Sequence, residues 1–250
     1  MRTSLLLAAG AAALLATHAA GESHPPGRVT FLSGDATRTR GGKAEKLALG
    51  AAVEENDTVE TQARTRLEIT LRDQSLVRVG PRSRVVLSAA VFGRTLDERK
   101  VAARLVVGDM WAKVAKAVGG DSRFEVQTAN AVAGVRGTTF RVDARADRSV
   151  VVKVYAGTVA VAGGGPIPRP EHGGAGEGAP AGGGAPPRAK KRVQVAGPRE
   201  VTREQWERIV GAMMQVKVAA DGTPAEPEPF QLAGASADEF EAWNRERDGE

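Results

Sequence analysis

Apolar and polar residues alternate over short segments between residues 27 and 162 of the 250-residue chain. Leu67, Ile69 and Leu71 share one face of such a segment, and charged or hydroxyl side chains occupy the positions between them. This period of two residues is typical of a strand with one buried face. Turn residues separate the segments. The pattern predicts many short strands with tight turns, as in a sandwich, a barrel or a solenoid.

Two weak internal similarities point toward the solenoid. Residues 59–63 resemble residues 126–130, and a glycine followed by a polar and then an apolar residue recurs at Gly34, Gly108 and Gly157. Each glycine would mark a corner where the chain turns into the next rung, although Gly-Asp is also a common turn dipeptide. The predicted fold class is all-β, a β-solenoid or rolled sheet of short strands, with a small helical C-terminal segment.

The end of the chain has a helical period. A capping box over residues 202–205 precedes apolar residues spaced as on one face of a helix. These are Trp206, Ile209, Val210, Met213 and Met214. A second box, opening at Ser236, precedes Phe240 and Trp243. The sequence predicts two amphipathic helices whose apolar residues either pack on the β domain or bind a partner.

The chain ends and the composition divide the sequence into four regions. Arg2, an apolar run over residues 5–16 and small residues at 19–21 predict a signal peptide over residues 1–21, with an uncleaved anchor as the alternative. A β domain over residues 22–162 follows. Residues 163–187 hold 16 Gly or Pro and predict a flexible linker. Residues 188–250 are predicted to form a C-terminal strand plus amphipathic helices. We expect the mature protein to be exported, periplasmic or extracellular, without a transmembrane helix.

The residue inventory argues against an enzyme. The chain has no Cys and three His, all outside the predicted folded regions. Cysteine nucleophiles, Cys/His zinc sites and His-based triads are therefore excluded. The aspartates of the β domain sit beside turn residues, where carboxylates cap backbone amides. The sequence predicts no catalytic residue, no cofactor and no metal site.

Charge is unevenly distributed along the chain, whose net charge is +5. Residues 22–162 carry a net charge of about +7 and residues 201–250 about −6, so the acidic end could dock on the basic body. A basic cluster lies at Arg188, Lys190, Lys191 and Arg192. It is either the solvated start of a strand or a site for anionic envelope polymers. The sequence shows no basic stripe with stacking aromatics, so we do not expect nucleic-acid binding.

Within residues 128–142 the apolar residues move from odd to even positions, so the buried face of the predicted strand changes. Apolar residues fall on odd positions up to Val135 and on even positions from Phe140 onward, so the change lies across Gly137. A glycine suits such a corner because it adopts positive φ without steric cost.

Several ordered motifs that include this segment together resemble the FecR domain. They are Val135, Arg136, Gly137 and Thr138 followed by Phe140, the turn at Gly50, residues 57–61, residues 73–75, residues 108–111 beginning at Gly108, and residues 154–159 around Gly157. The resemblance covers residues 27–162. The chain departs from the common family pattern at Gln74 and Ala129.

The resemblance implies the fold and a binding role in the envelope of a Gram-negative bacterium. FecR itself is a membrane-spanning regulator that relays receptor occupancy to a sigma factor. That relay needs a cytoplasmic region and a central transmembrane helix, and the sequence shows neither. The chain thus resembles stand-alone exported FecR-domain proteins. The resemblance does not imply sigma regulation. We expect a non-enzymatic module that recognises another envelope protein through strand edges or a helix, with signalling as one role left open. The alternative is a structural or adhesive binder of anionic cell-wall glycans.

Overall fold

A computed structural model describes residues 25–93, 98–116, 122–164, 207–234 and 236–249, which contain seventeen β-strands and one α-helix. The first eight strands are β1 (Gly27–Ser33), β2 (Ala36–Arg40), β3 (Lys43–Lys46), β4 (Ala52–Val53), β5 (Thr58–Thr61), β6 (Arg66–Leu71), β7 (Leu76–Val79) and β8 (Arg84–Val91). The next six are β9 (Lys100–Lys113), β10 (Arg123–Gln127), β11 (Ala131–Val135), β12 (Thr139–Ala144), β13 (Val150–Ala156) and β14 (Thr158–Gly163). The last elements are β15 (Glu207–Gly211), β16 (Met214–Val218), β17 (Glu228–Pro229) and α1 (Glu239–Asp248).

The strands form two layers, here named sheet A and sheet B. In sheet A the strand order is β4-β1-β6-β7-β9-β12-β13-β16-β17. In sheet B it is β3-β2-β5-β8-β9-β10-β11-β14-β15. All of these pairs are antiparallel except β9 with β10. The two layers remain open at their edges.

Strand β9 belongs to both sheets. Residues 100–107 pair in sheet B, and residues 108–113 pair in sheet A. The strand changes sheet at Gly108, whose φ is 98°. A Cβ atom there would lie 2.1 Å from the Ser83 Oγ, so both the backbone conformation and the available space require glycine. This long strand is why one core serves both layers.

A single apolar cluster fills the space between the sheets. It joins Leu67 and Phe140 of sheet A to Leu105 and Phe124 of sheet B, all of which are fully buried. The period of two seen in the sequence places these side chains inward and their neighbours outward. The predicted all-β body with a short C-terminal helix is confirmed. A solenoid is not, since the pairing is almost wholly antiparallel instead of rung-upon-rung.

The helix predicted around residues 206–214 is wrong for its described part. Residues 207–211 and 214–218 form the strands β15 and β16 instead. β15 pairs with β14 and β16 with β13, so each extends a sheet at its edge. Their β-branched residues fit this environment, and pairing with existing strands outweighs the helical spacing.

The second predicted helix is present as α1, with a start that differs from the predicted box. Asp238 caps the helix, because its side chain accepts a hydrogen bond from the Glu241 N–H at 2.9 Å. Gly249 ends the helix in the left-handed conformation. Ser236 therefore lies before the cap and does not form it.

Some sequence predictions lie outside the described residues. These are the signal peptide over residues 1–21, almost all of the linker over residues 163–187, the basic cluster over residues 188–192 and Trp206. Strand β14 ends at Gly163, close to the predicted boundary at residue 162. Within the described ranges, no helix has the length and apolar character needed to cross a membrane.

Candidate functional site

The residues around Gly137 on which the FecR resemblance rests, here called the signature residues, lie where the chain crosses between the sheets. Val135 ends β11 in sheet B, and Phe140 lies in β12 of sheet A. Gly137, between them, has a φ of 64°, as the parity change predicted. Arg136 is exposed and Thr138 is buried. The signature thus shapes a crossing of the chain, and Val135 and Arg136 also border a depression on the outer face of sheet B.

The other signature glycines mark crossings as well. Gly108 lies at the bend of β9, and Gly157 joins β13 of sheet A to β14 of sheet B with a φ of 87°. A Cβ atom on Gly157 would lie 2.5 Å from the Thr138 Cγ2, so the crossing at Gly157 packs against the crossing at Gly137. The prediction that such glycines mark corners agrees with this geometry, although the corners connect two layers instead of solenoid rungs.

Helix α1 covers the outer face of sheet A with aromatic side chains. Phe240 and Trp243 are buried there in a cluster with Trp111 and Tyr155 of the sheet. The rings of Trp111 and Tyr155 lie 4.2 Å apart, and Phe31 lies 5.4 Å from Trp243. Phe240 and Trp243 were assigned from the sequence either to packing on the β domain or to a partner, and they pack on the outside of sheet A and not in the central core.

A buried ionic network fixes the C-terminal half of α1. Arg78, which is 1% exposed, donates from Nε to the Glu68 carboxylate at 2.7 Å and from Nη2 to the Asp248 carboxylate at 2.8 Å. The Trp111 Nε1 donates to Asp248 at 3.1 Å. Arg247 also pairs with Glu68 at 3.1 Å. Burial opposes the charge of Glu68, but the hydrogen bonds from Arg247 and Arg78 outweigh it and lower the pKa of its carboxyl group.

A second network holds the N-terminal end of α1. Arg141 of β12 lies 2.5 Å from the carboxylates of both Asp143 and Asp238, and 3.4 Å from that of Asp109. Although burial disfavours its charge, these carboxylates raise the pKa of Arg141 above its usual value. Asp238 is the helix cap, so one aspartate both starts the helix and joins it to the sheet.

Glu241 completes the contact from the first turn of α1. The Tyr155 hydroxyl donates to its carboxylate at 2.9 Å, and the Lys153 ammonium lies 3.5 Å away. Burial and the neighbouring Glu241 raise the pKa of Tyr155. The acidic C-terminal segment therefore docks on basic residues of the β domain, as the charge distribution predicted.

The residues of sheet A that receive this helix were not predicted from the sequence. Glu68, Arg78 and Arg141 occupy outward positions of strands, where charged residues normally face water. The available signal was the coincidence of arginines on this face with the acidic excess of the last fifty residues. Local patterns do not show which strands lie side by side. Strands β7 and β12 are distant in sequence and are brought to the same face because each pairs with β9.

The stripe predicted for residues 206–214 is split between the core and the surface. Val210 is fully buried, and Met214 packs against the core. Ile209 is 62% exposed and Met213 is 40% exposed. Alternation along a strand, and not a helix face, therefore sorts these residues. Only Ile209 among them presents a branched aliphatic side chain to solvent.

The outer face of sheet B carries a depression with a floor of small residues. Its two adjoining parts have volumes of about 520 and 360 Å³ and share the residues Ser122, Arg123, Glu125 and Arg136. Gly134, Ala160 and Ile209 line one part, and Lys100 and Ala102 the other. We name this depression the sheet B trough. No group of three or more metal-binding side chains occurs among the described residues.

Residues 57–160 match the model of the FecR protein family. This segment is a FecR domain. It is shorter than the 27–162 span of the resemblance, and strands β1 to β4 precede it while pairing within the same sheets. The sequence resemblance is confirmed.

Two solved structures have a similar arrangement of the chain. Both are crystal structures of a proposed anti-sigma factor from Parabacteroides distasonis, at 1.65 and 2.50 Å. Each is 17% identical to this chain over 75% of it, with TM-scores of 0.46 and 0.47. The chain spans about 64% of the length of those structures. No curated protein matches the chain.

Proposed function

We propose that this protein is an exported, non-enzymatic binding module of the bacterial cell envelope that recognises another envelope protein in signalling. The FecR domain over residues 57–160 supports a role in an envelope regulator. The signal-like segment before residue 22 supports export. The recognition surface is the exposed side of sheet B, with its edge strand β15.

The unequal cover of the two sheets is the observation that carries this proposal. Helix α1 buries the outer face of sheet A, whereas no described element packs on the outer face of sheet B near β15. Within the described ranges β15 pairs only with β14. Its Ile209 is 62% exposed, although an exposed edge strand with an apolar residue is normally avoided. A strand added from a partner would pair with this edge and cover the isoleucine.

A photo-crosslinking experiment in intact cells tests the proposal. The full-length protein carries a photoreactive amino acid at Glu207, which is exposed on the same face as Ile209, and crosslinked envelope proteins are identified by mass spectrometry. We expect one partner whose crosslinking falls at least tenfold in Ile209→Lys, since a charged edge residue opposes strand addition.

The matched control is Leu49→Lys, because Leu49 is an exposed apolar residue, 70% accessible, remote from β15. The proposal would be contradicted if both variants lost crosslinking equally, or if the wild-type protein gave no crosslinked partner. Retention on cell-wall glycan that disappears at high salt would favour the glycan-binding alternative instead.

A further inference from the structure

The sheet B trough runs across five strands. Strand register places one outward residue of each strand in a single row, and the members of the row are Ala102, Glu125, Gly134, Ala160 and Ile209. With neighbouring strands about 4.8 Å apart, the row is about 19 Å long. Three of its five side chains are Ala or Gly. The floor is therefore low enough for another chain to approach the backbone closely.

Gly134 is the residue that the fold does not explain. It lies inside β11, and its φ is not in the left-handed region. A Cβ atom there would meet nothing closer than the Ala160 carbonyl oxygen, at 3.9 Å. Glycine inside a strand is destabilising relative to alanine and often marks a close approach by another chain. Neither space nor backbone conformation within the domain requires it.

The charges beside the row favour an acidic occupant. Lys100, Arg123 and Arg136 line the trough together with a single carboxylate, that of Glu125. Arg123 pairs with Glu125 at 3.2 Å, so the carboxylate of Glu125 does not also balance the positive charge of Lys100. Ser122 also lines both parts, and its buried hydroxyl has no hydrogen-bond partner among the described residues. A carboxylate could accept a hydrogen bond from that hydroxyl.

The chain itself provides a precedent on the other sheet. There the acidic segment that ends in α1 places Asp238 and Asp248 against Arg141 and Arg78. An aromatic side chain of the same segment, Trp243, fills the apolar part of that contact. The outer faces of this sandwich are thus suited to binding acidic segments with an apolar anchor.

We propose that the sheet B trough binds an acidic segment of the partner protein, which crosses the strands over Gly134 and places an apolar residue against Ile209. This rests on the proposed function and specifies the partner's chemistry. Carboxylates of the segment face Lys100, Arg123 and the Ser122 hydroxyl. The absence of a side chain at Gly134 lets the partner backbone lie directly on the sheet.

Selection from a displayed library of random twelve-residue peptides on the full-length protein tests the proposal. We expect the selected peptides to be rich in Asp and Glu with one large apolar residue, and to bind less tightly as salt is raised. Gly134→Val should weaken binding at least tenfold, while its melting temperature stays equal or rises because valine favours strands. Arg123→Glu should weaken the same peptides.

Thr37→Val is the matched control, since Thr37 lies on β2, three strands away from β9 in sheet B, and should bind as the wild type does. Selection of basic or uncharged peptides, or equal binding by Gly134→Val, would overturn the proposal. So would anionic glycan binding with the same dependence on Gly134. If cellular crosslinking depends on Ile209 but not on Gly134, the proposed function stands and the trough is not the site.

Discussion

Asp109 and Asp143 lie directly opposite each other on β9 and β12, beside the same guanidinium group of Arg141. The neighbouring Asp109 raises the pKa of the Asp143 carboxyl group. Asp238, which caps α1, approaches Arg141 from the helix. Three carboxyl groups thus share one arginine, so full ionisation leaves two uncompensated negative charges beneath the helix. A proton held on Asp143 relieves this repulsion.

The first prediction follows from this arrangement. Burial and the neighbouring Asp109 outweigh the attraction of Arg141 and raise the pKa of Asp143 to about 7. An unfolded aspartate has a pKa of about 3.9, so between pH 4 and 7 the folded state holds a proton that the unfolded state has lost. This contribution to stability is fully present below pH 4 and is lost progressively as pH rises to 7, on the order of 4 kcal/mol in total for a shift of about three pKa units.

Urea unfolding of wild type and Asp143→Asn between pH 4 and 8 measures this effect. We expect the variant to be less dependent on pH in this window and more stable than the wild type at pH 8, since the amide carries no charge. Asp147→Asn is the control, because Asp147 is an exposed turn residue that caps Ser149 and should leave the pH dependence between 4 and 7 unchanged. An unaltered pH profile for Asp143→Asn would contradict the assignment of the proton to this cluster.

The sandwich was predictable from the sequence only as far as local patterns reach. Alternation at Leu67, Ile69 and Leu71 identified a strand, and the parity change identified the corner at Gly137. The pairing of β7 and β12 with β9 was not accessible, since it joins segments distant in sequence. The spacing of residues 206–214 also predicted a helix, because a short apolar run fits both periods until pairing decides.

The second prediction concerns the glycines at the crossings between sheets. Gly157 has a φ of 87°, and a Cβ atom there would clash with Thr138, so both strain and overlap penalise any side chain. We expect Gly157→Ala to lower the free energy of unfolding by about 1–3 kcal/mol.

Gly211 ends β15 with ordinary φ and open space around its Cβ position. Gly211→Ala should therefore change stability by less than about 0.5 kcal/mol. Chemical denaturation that ranks the two variants equally would argue against a special role for the crossing.

The third prediction compares a buried ion pair with an exposed one. Arg78 and Glu68 are joined at 2.7 Å with almost no access to water, while Arg84 and Glu60 are joined at 2.5 Å on the surface, with side chains 50% and 36% exposed. Removing Arg78 leaves the carboxylates of Glu68 and Asp248 buried with fewer partners, whereas removing Arg84 returns Glu60 to solvent. We expect Arg78→Ala to cost about 3–5 kcal/mol, and Arg84→Ala at most about 1 kcal/mol.

The readout must separate loss of α1 from loss of the whole fold. Because Trp111 and Trp243 lie at the contact, tryptophan emission reports helix docking, and far-ultraviolet circular dichroism reports the sheets. We expect Arg78→Met, which keeps the side-chain length, to shift the emission to longer wavelength while the strand signal persists. If Arg78→Met and Arg84→Ala give the same tryptophan emission, circular dichroism and unfolding midpoint, then the ionic network does not hold the helix. The aromatic cluster alone would then account for its docking.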